Sequence, residues 1–166
     1  VAVLPFFYDS SLDQNKDTSS IFRETFFNYF SYLGYNDLAL GSVDRKLKPV
    51  IRTGVPINSI SNTQLLKVLG VDAVVRGSIL NATNFTAGIY AETSIEANLE
   101  MIDLRTNKVL WDTKHTESDT SGILTPSLVD LIDDQANNSK VNEAYSRVAE
   151  SFVLKILAKI PDPASL

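Results

Sequence analysis

Apolar and polar residues alternate with different periods along the chain, and each change of period marks an element. "VAVLPFF" at 1–7 is a continuous apolar run with the length of a buried strand, and Asp9 to Thr18 is a polar loop without period. Phe22, Phe26, Tyr29, Phe30 and Leu33 then recur at helical spacing, which predicts a helix over 20–33. Ser19 or Ser20 can cap its start, and Gly34 stands where a left-handed C-cap residue belongs. A short strand is expected through Asp37 to Leu40, then a single helical turn from Ser42 that Pro49 stops. Ser61 and Gln64 form a capping box ahead of Leu65, Leu66, Val68 and Leu69, and Gly70 ends that helix.

"VDAVVRGSIL" has the β-branched character of an interior strand, and Ala82 to Gly88 reads as a polar connection. From Thr93 the period becomes two. Ile95, Ala97, Leu99 and Met101 share one face, while Ser94, Glu96, Asn98 and Glu100 share the other. This is the pattern of an antiparallel strand with a single covered face. A partner strand places Val109, Trp111, Thr113 and His115 against Leu110, Asp112 and Lys114.

Register follows from parity. Like faces meet only if the connection holds an odd number of residues, and Arg105, Thr106 and Asn107 provide it. A type I turn followed by a left-handed residue closes such a loop, and Asn suits the left-handed position. Met101 is then opposite Trp111, Leu99 opposite Thr113, and Ala97 opposite His115. The only Met, Trp and His of the chain thus line one inward face, with Trp111 as a core anchor and Met101 as its filler.

A loop is expected from Glu117 to Leu124. "TPSLVDLIDDQA" then reads as a short amphipathic helix, with Thr125 as cap and Pro126 at its first position. Val141, Tyr145, Val148, Phe152, Ile156 and Ile160 share one face of a last helix, capped near Ser139 and ended by Pro161. The 166 residues fit a single domain of α/β (α+β) class: a mixed sheet with a long antiparallel hairpin and helices packed on it.

Composition narrows the function classes. A formal net charge of -5 removes the broad attraction on which non-specific nucleic-acid binding depends, so no nucleic-acid partner is expected. The absence of cysteine excludes disulfides and thiolate metal sites. No apolar run approaches the length of a membrane-spanning helix. The first strand starts at Val1 with no leader ahead of it, and the expectation is that the native start lies upstream.

Candidate chemistry is sparse. Asp13, Asn15, Asp17 and Glu24 occupy positions one, three, five and twelve of a calcium loop, but Thr18 replaces the required glycine and Ser20 the central hydrophobe. A polar loop running into a helix is the better reading. His115 has no second His or Cys to share a metal with. Nucleophile motifs and phosphate-cradling glycine loops are lacking. Glu96 and Glu100 share a strand face, and read as surface carboxylates sooner than as an acid–base pair. Arg45, Lys46, Lys48 and Arg52 form a basic patch, read as solvated charge. Sequons occur at Asn81, Asn84 and Asn137. No catalytic residue, metal or cofactor is therefore expected.

The motifs "VAVLPF", "LGYNDLAL", "LLKVLGVDAVVRGSI" and "LEMIDLRTNKVLWDTKH", in this order, resemble the bacterial envelope lipoproteins grouped with the curli secretion protein CsgG, their GNA-type relatives and the N-terminal domain of TolB. The matching residues are Pro5, Gly70 to Gly77, and Asp103 to Trp111. Asn107 stands where the group has Gly, the acidic stretch from Leu128 to Asp134 has no counterpart, and Ala82 to Tyr90 is too short and polar for a membrane-inserting hairpin. The resemblance implies a non-catalytic periplasmic domain, tethered to the outer membrane by an N-terminal lipid. It implies action through other envelope proteins in secretion, envelope assembly or regulation of cell-wall synthesis, and leaves open a ring of copies. The alternative is an enzyme with an unrecognised carboxylate-based site. For the partner surface the sequence offers Leu124, Leu128, Leu131 and Ile132, an apolar set on an acidic stretch.

Overall fold

A computed structural model describes residues 1–8, 18–51, 56–87, 90–120 and 134–165. The expected apolar run 1–7 forms two short strands, β1 (Ala2–Val3) and β2 (Phe7–Tyr8), both parallel to β3 (Ala73–Ala87). Pro5 lies in the gap between them, because it has no N–H for a ladder. Beyond the gap Phe7 is 36% exposed instead of buried. β3 pairs antiparallel with β4 (Tyr90–Asp103), and β4 with β5 (Val109–Asp119), so the sheet order is β1-β3-β4-β5 with β2 also beside β3. The mixed sheet with helices packed on it is the expected class.

Helix α1 spans Thr18–Phe30 and continues as a 3-10 turn, Ser31–Leu33, to Gly34 at φ 83°. It starts before the expected cap: Ser19 lies inside its first turn and its hydroxyl donates to the Phe6 carbonyl at 2.8 Å. The strand expected at 37–40 shrinks to one bridge between Leu38 and Ala2. The single turn expected from Ser42 is a full helix, α2 (Leu40–Ile51). Val43, Leu47 and Val50 give it an apolar stripe against a small core with Ala2, Leu4 and Val74, and Pro49 comes so late that only the last turn loses a hydrogen bond. Helix α3 (Asn62–Leu69) is as expected, with the Ser61 side chain accepting from the Gln64 amide and Gly70 left-handed at φ 70°.

The β4–β5 register holds as derived, with Met101 opposite Trp111, Leu99 opposite Thr113 and Ala97 opposite His115. Asn107 is left-handed at φ 59°. The turn itself differs from the expected three residues: the Asp103 amide donates to the Lys108 carbonyl at 2.9 Å, so it closes over Leu104 to Asn107, the register shifts between Met101 and Ile102, and Val109 lies on the outside, 46% exposed. The extra residue of this bulge takes up the parity that would have turned Val109 inward.

Two stretches read as loops are strand. Residues 82–87 continue β3 beyond a bulge at Ile79/Asn81, and Glu117 to Asp119 continue β5. Polar pairs replace apolar ones across the former: Thr83 Oγ1 meets Ser94 Oγ at 2.7 Å, and the Asn84 amide donates to Thr93 Oγ1 at 2.8 Å. That substitution hides the strand from a reading based on hydrophobic period.

The last helix, α4 (Asp134–Leu157), starts before the expected cap, so Ser139 is internal. It packs with α1 on one face of the sheet. Phe22 meets Phe152 edge-on at 4.9 Å, and Phe6, Phe26, Phe30 and Tyr35 extend the aromatic core over Ile95, Ala97, Leu99, Met101 and Trp111. Among the described residues, the opposite face is covered only at the β1 end, where Val43 and Leu47 of α2 and Leu65 and Leu69 of α3 pack on Ala2, Leu4, Val74, Ile102 and Leu104. No other described element packs on the rest of that face, the open face of the sheet.

Candidate functional site

Leu124, Leu128, Leu131 and Ile132, the apolar set offered as partner surface, lie outside the described residues, as do Asp13, Asn15, Asp17 and Arg52. Glu24 is an exposed residue of α1. The basic patch is divided. Lys46 turns away to donate to the Leu69 carbonyl at 2.6 Å, while Arg45 and Lys48 flank a groove of about 640 Å³ with Pro5, Arg23, Asp44 and Ile51. Arg23 is committed there to structure, bonding Asp44 at 2.8 Å and the Val3 carbonyl at 2.9 Å. The sequon residues Asn81 and Asn84 lie in β3, and Asn137 in α4.

His115 belongs to a polar cluster between β5 and α4. Its Nε2 lies 3.1 Å from Glu117 Oε2; Lys155 Nζ donates to both oxygens of Glu117 at 2.7 Å, and Ser151 Oγ donates to Oε1 at 3.0 Å. The residue types are those of a hydrolase triad, but the connectivity is not. The serine proton goes to the carboxylate and not to the imidazole, so the His–Ser contact of such a triad is not made. Burial alone would raise the Glu117 pKa; hydrogen bonds from Lys155, His115 and Ser151 outweigh it and lower the pKa below the usual carboxylate range. A carboxylate held ionised in this way cannot serve as a general acid near neutral pH. It joins the helix to the edge strand. Arg147 prolongs the join, bonding Asp119 at 3.0 Å and Glu143 at 3.2 Å.

The open sheet face is the stronger candidate. Glu96, Asn98 and Glu100 of β4 run down its middle, opposite Thr116, Lys114 and Asp112 of β5, and Lys114 Nζ reaches Glu96 Oε1 at 2.8 Å. Glu96 and Glu100 are therefore the wet-face carboxylates that the alternation implied. On the other side, Arg76 of β3 faces Glu100 and fixes the turn ahead of α3, donating to the Asn58 and Ile60 carbonyls and to Asn62 Oδ1 at 2.8 to 3.2 Å. Burial lowers the Arg76 pKa, with Glu100 opposing. Leu80, 39% exposed, and Phe7 place apolar surface in this polar field. Beside Phe7 a cleft of about 90 Å³ opens, floored by Arg76, Ser78 and Glu100.

Hydrophobic pattern alone did not reveal these contributors. Glu117 shares the parity of Trp111, Thr113 and His115, and extending that alternation by one step would have found it. Phe7 and Leu80 sit in apolar runs that read as wholly buried. Among the described residues, no group of three or more His, Cys, Asp or Glu side chains could hold a metal ion, and no helix is long and apolar enough to cross a membrane.

No protein-family model matches the sequence, and no curated protein matches it. Solved structures do match in fold. Lipoprotein GNA1162 from Neisseria meningitidis superposes with a TM-score of 0.63 at 17% identity, covering 85% of this chain and 96% of that one. The protein CT253 from Chlamydia trachomatis gives 0.55 at 14% identity over 96% and 93%. PelC from Paraburkholderia phytofirmans, solved as a dodecamer, gives 0.51 at 14% identity over 90% and 83%. Identities this low establish architecture and nothing finer, and the architecture is a mixed five-stranded sheet with packed helices, the fold of the lipoprotein GNA1162.

Proposed function

We propose that this chain is a non-catalytic domain of a cell-envelope lipoprotein and acts by binding other envelope proteins through the open face of its sheet. The observation that carries the reading is the asymmetry of the sheet. Among the described residues, α1 and α4 cover one face, whereas α2 and α3 cover only a corner of the other, leaving Phe7 and Leu80 exposed among Arg76, Glu96, Glu100 and Lys114. Apolar positions framed by paired charges are what a protein interface with a polar rim requires. The commitment of Glu117 to Lys155, Ser151 and His115 supports the non-catalytic part. The likeness to GNA1162, a lipoprotein, supports the envelope, and by the same reading a lipid tether lies ahead of Val1.

The kinship to CsgG and TolB, the outer membrane as site, and a role in secretion, assembly or wall synthesis are finer parts of this proposal, and rest on the motif order described above. A homo-oligomer is a second reading, favoured by the likeness to PelC, which forms a dodecamer. The test uses the full-length protein in its native cell. Fatty-acid label should appear on the chain in the membrane fraction, and envelope proteins fixed to it by formaldehyde should be lost with Leu80→Glu. An unlabelled cytoplasmic chain overturns the envelope reading; equal recovery of partners by the variant overturns the surface.

A further inference from the structure

Away from the open face, α1 and α4 enclose a groove of about 360 Å³ lined by Thr25, Asn28, Tyr29, Tyr32, Ser146 and Glu150. The volume is at the lower end of about 300–1,000 Å³ typical of ligand pockets. Its charge is of one sign. Thr25 donates its hydroxyl proton to the Ile21 carbonyl at 2.8 Å, and Ser146 donates to the Asn142 carbonyl at 2.8 Å, so each offers the groove only lone pairs. Tyr29 donates to Glu150 Oε1, and that bond raises the phenol pKa, keeping the proton on Tyr29. Oε2 of Glu150 and the amide of Asn28 have no partner among the described residues. Tyr32 is 89% exposed and contributes a ring that the core does not use.

The described lining therefore presents mostly acceptors beside the Asn28 amide and the Tyr32 hydroxyl, one negative charge and aromatic surface, with no cation among its residues. A donor-rich planar cation complements all three, since guanidinium brings five N–H donors, a positive charge and a flat face that stacks on tyrosine. An ammonium group matches the charge but not the plane. A phosphate or carboxylate would meet Glu150 with nothing to neutralise it. We propose that this groove receives an arginine side chain of a protein partner, its guanidinium stacked on Tyr32 and donating to Glu150 and Asn28. The inference rests on the reading of the chain as a protein-binding domain and adds a second contact with stated chemistry. The net charge of -5 favours such a basic segment at long range.

The test is a chemical-shift titration of the isolated chain with acetyl-Gly-Arg-Gly-amide, its citrulline counterpart and its lysine counterpart. Citrulline keeps the shape of arginine and removes the charge. The arginine peptide should shift amides of residues 25–32 and 146–150 saturably, with lysine weaker and citrulline silent. Tyr32→Ala and Glu150→Gln should each weaken binding by about tenfold. Tyr32→Ala leaves the core untouched, so a spectrum unchanged elsewhere reports an intact fold. An equal response to arginine and citrulline, or arginine binding unaffected by Tyr32→Ala, overturns the proposal. Such a failure leaves the sheet-face reading intact, because that reading is tested at Leu80 on another surface. Failure at Leu80 would in turn leave the peptide titration unaltered.

Discussion

The ring of Phe6 lies directly against the backbone of Gly77: a Cβ at position 77 would sit 2.3 Å from Phe6 Cδ1 and 2.6 Å from Cε1. No real contact is that short, so this glycine is required by packing and not by backbone conformation. Phe6 cannot retreat, because Phe22 and Phe26 hold its other sides at ring-centre distances of 5.6 and 6.0 Å. Gly77→Ala should therefore destabilise the chain by about 1–3 kcal/mol, the usual range for overpacking a close-packed core. Adding Phe6→Leu should recover part of the loss, and urea unfolding of the single and double variants measures both. Strictly additive effects would contradict a direct clash.

The carboxylate of Glu117 gives a prediction with a definite sign. Its folded pKa lies below the unfolded value, so its contribution to stability is present above the unfolded pKa and is lost as pH falls through the folded one. Unfolding free energy should be flat around neutrality and fall on acidification below about pH 4 to 5, the range of an unperturbed glutamate. Glu117→Gln should lower stability at pH 7 by about 1 kcal/mol and flatten the acid slope, since one oxygen can still accept from Ser151 while the charge facing Lys155 is gone. Urea titrations at stepped pH read the difference, and an unchanged slope would remove Glu117 from the acid response.

Trp111 is buried near the turn end of the hairpin, yet its Nε1 proton has no partner among the described residues. Replacement by Phe deletes an unpaired donor along with some volume, and the two effects oppose each other. Trp111→Phe should cost less than about 1.5 kcal/mol, whereas Trp111→Ala should cost about 3–5 kcal/mol by opening a cavity next to Met101. Thermal unfolding of both variants tests the contrast, and a Phe variant as unstable as the Ala variant would mean that the indole nitrogen does bonding work.

Sequence pattern revealed those parts of the fold in which one physical rule acts alone. Face parity places Met101 opposite Trp111, although the turn closes over four residues and not three and the bulge restores the register; the left-handed Gly34, Gly70 and Asn107 mark ends that conformational preference dictates. Rules in competition hid the rest. In α2 a late Pro49 masked an apolar stripe, and in β3 cross-strand pairs such as Thr83 with Ser94 masked a strand. The open face was half visible: alternation marked Glu96 and Glu100 as wet, but which helices leave that face uncovered depends on tertiary packing. Among the described residues, α2 and α3 cover the β1 end and leave Phe7 and Leu80 exposed, and no local pattern contains that.

Site-specific photo-cross-linking at Leu80 in living cells, with a matched probe at Ala158 just beyond the end of α4 as a surface control, tests the central claim most directly. The account predicts discrete adducts at Leu80, each identified by mass spectrometry as an envelope protein or a second copy of the chain, and none in common with the control. A Leu80 probe that forms no adducts beyond those of the control, in cells where the domain is folded and membrane-associated, would contradict an interaction surface on the open face.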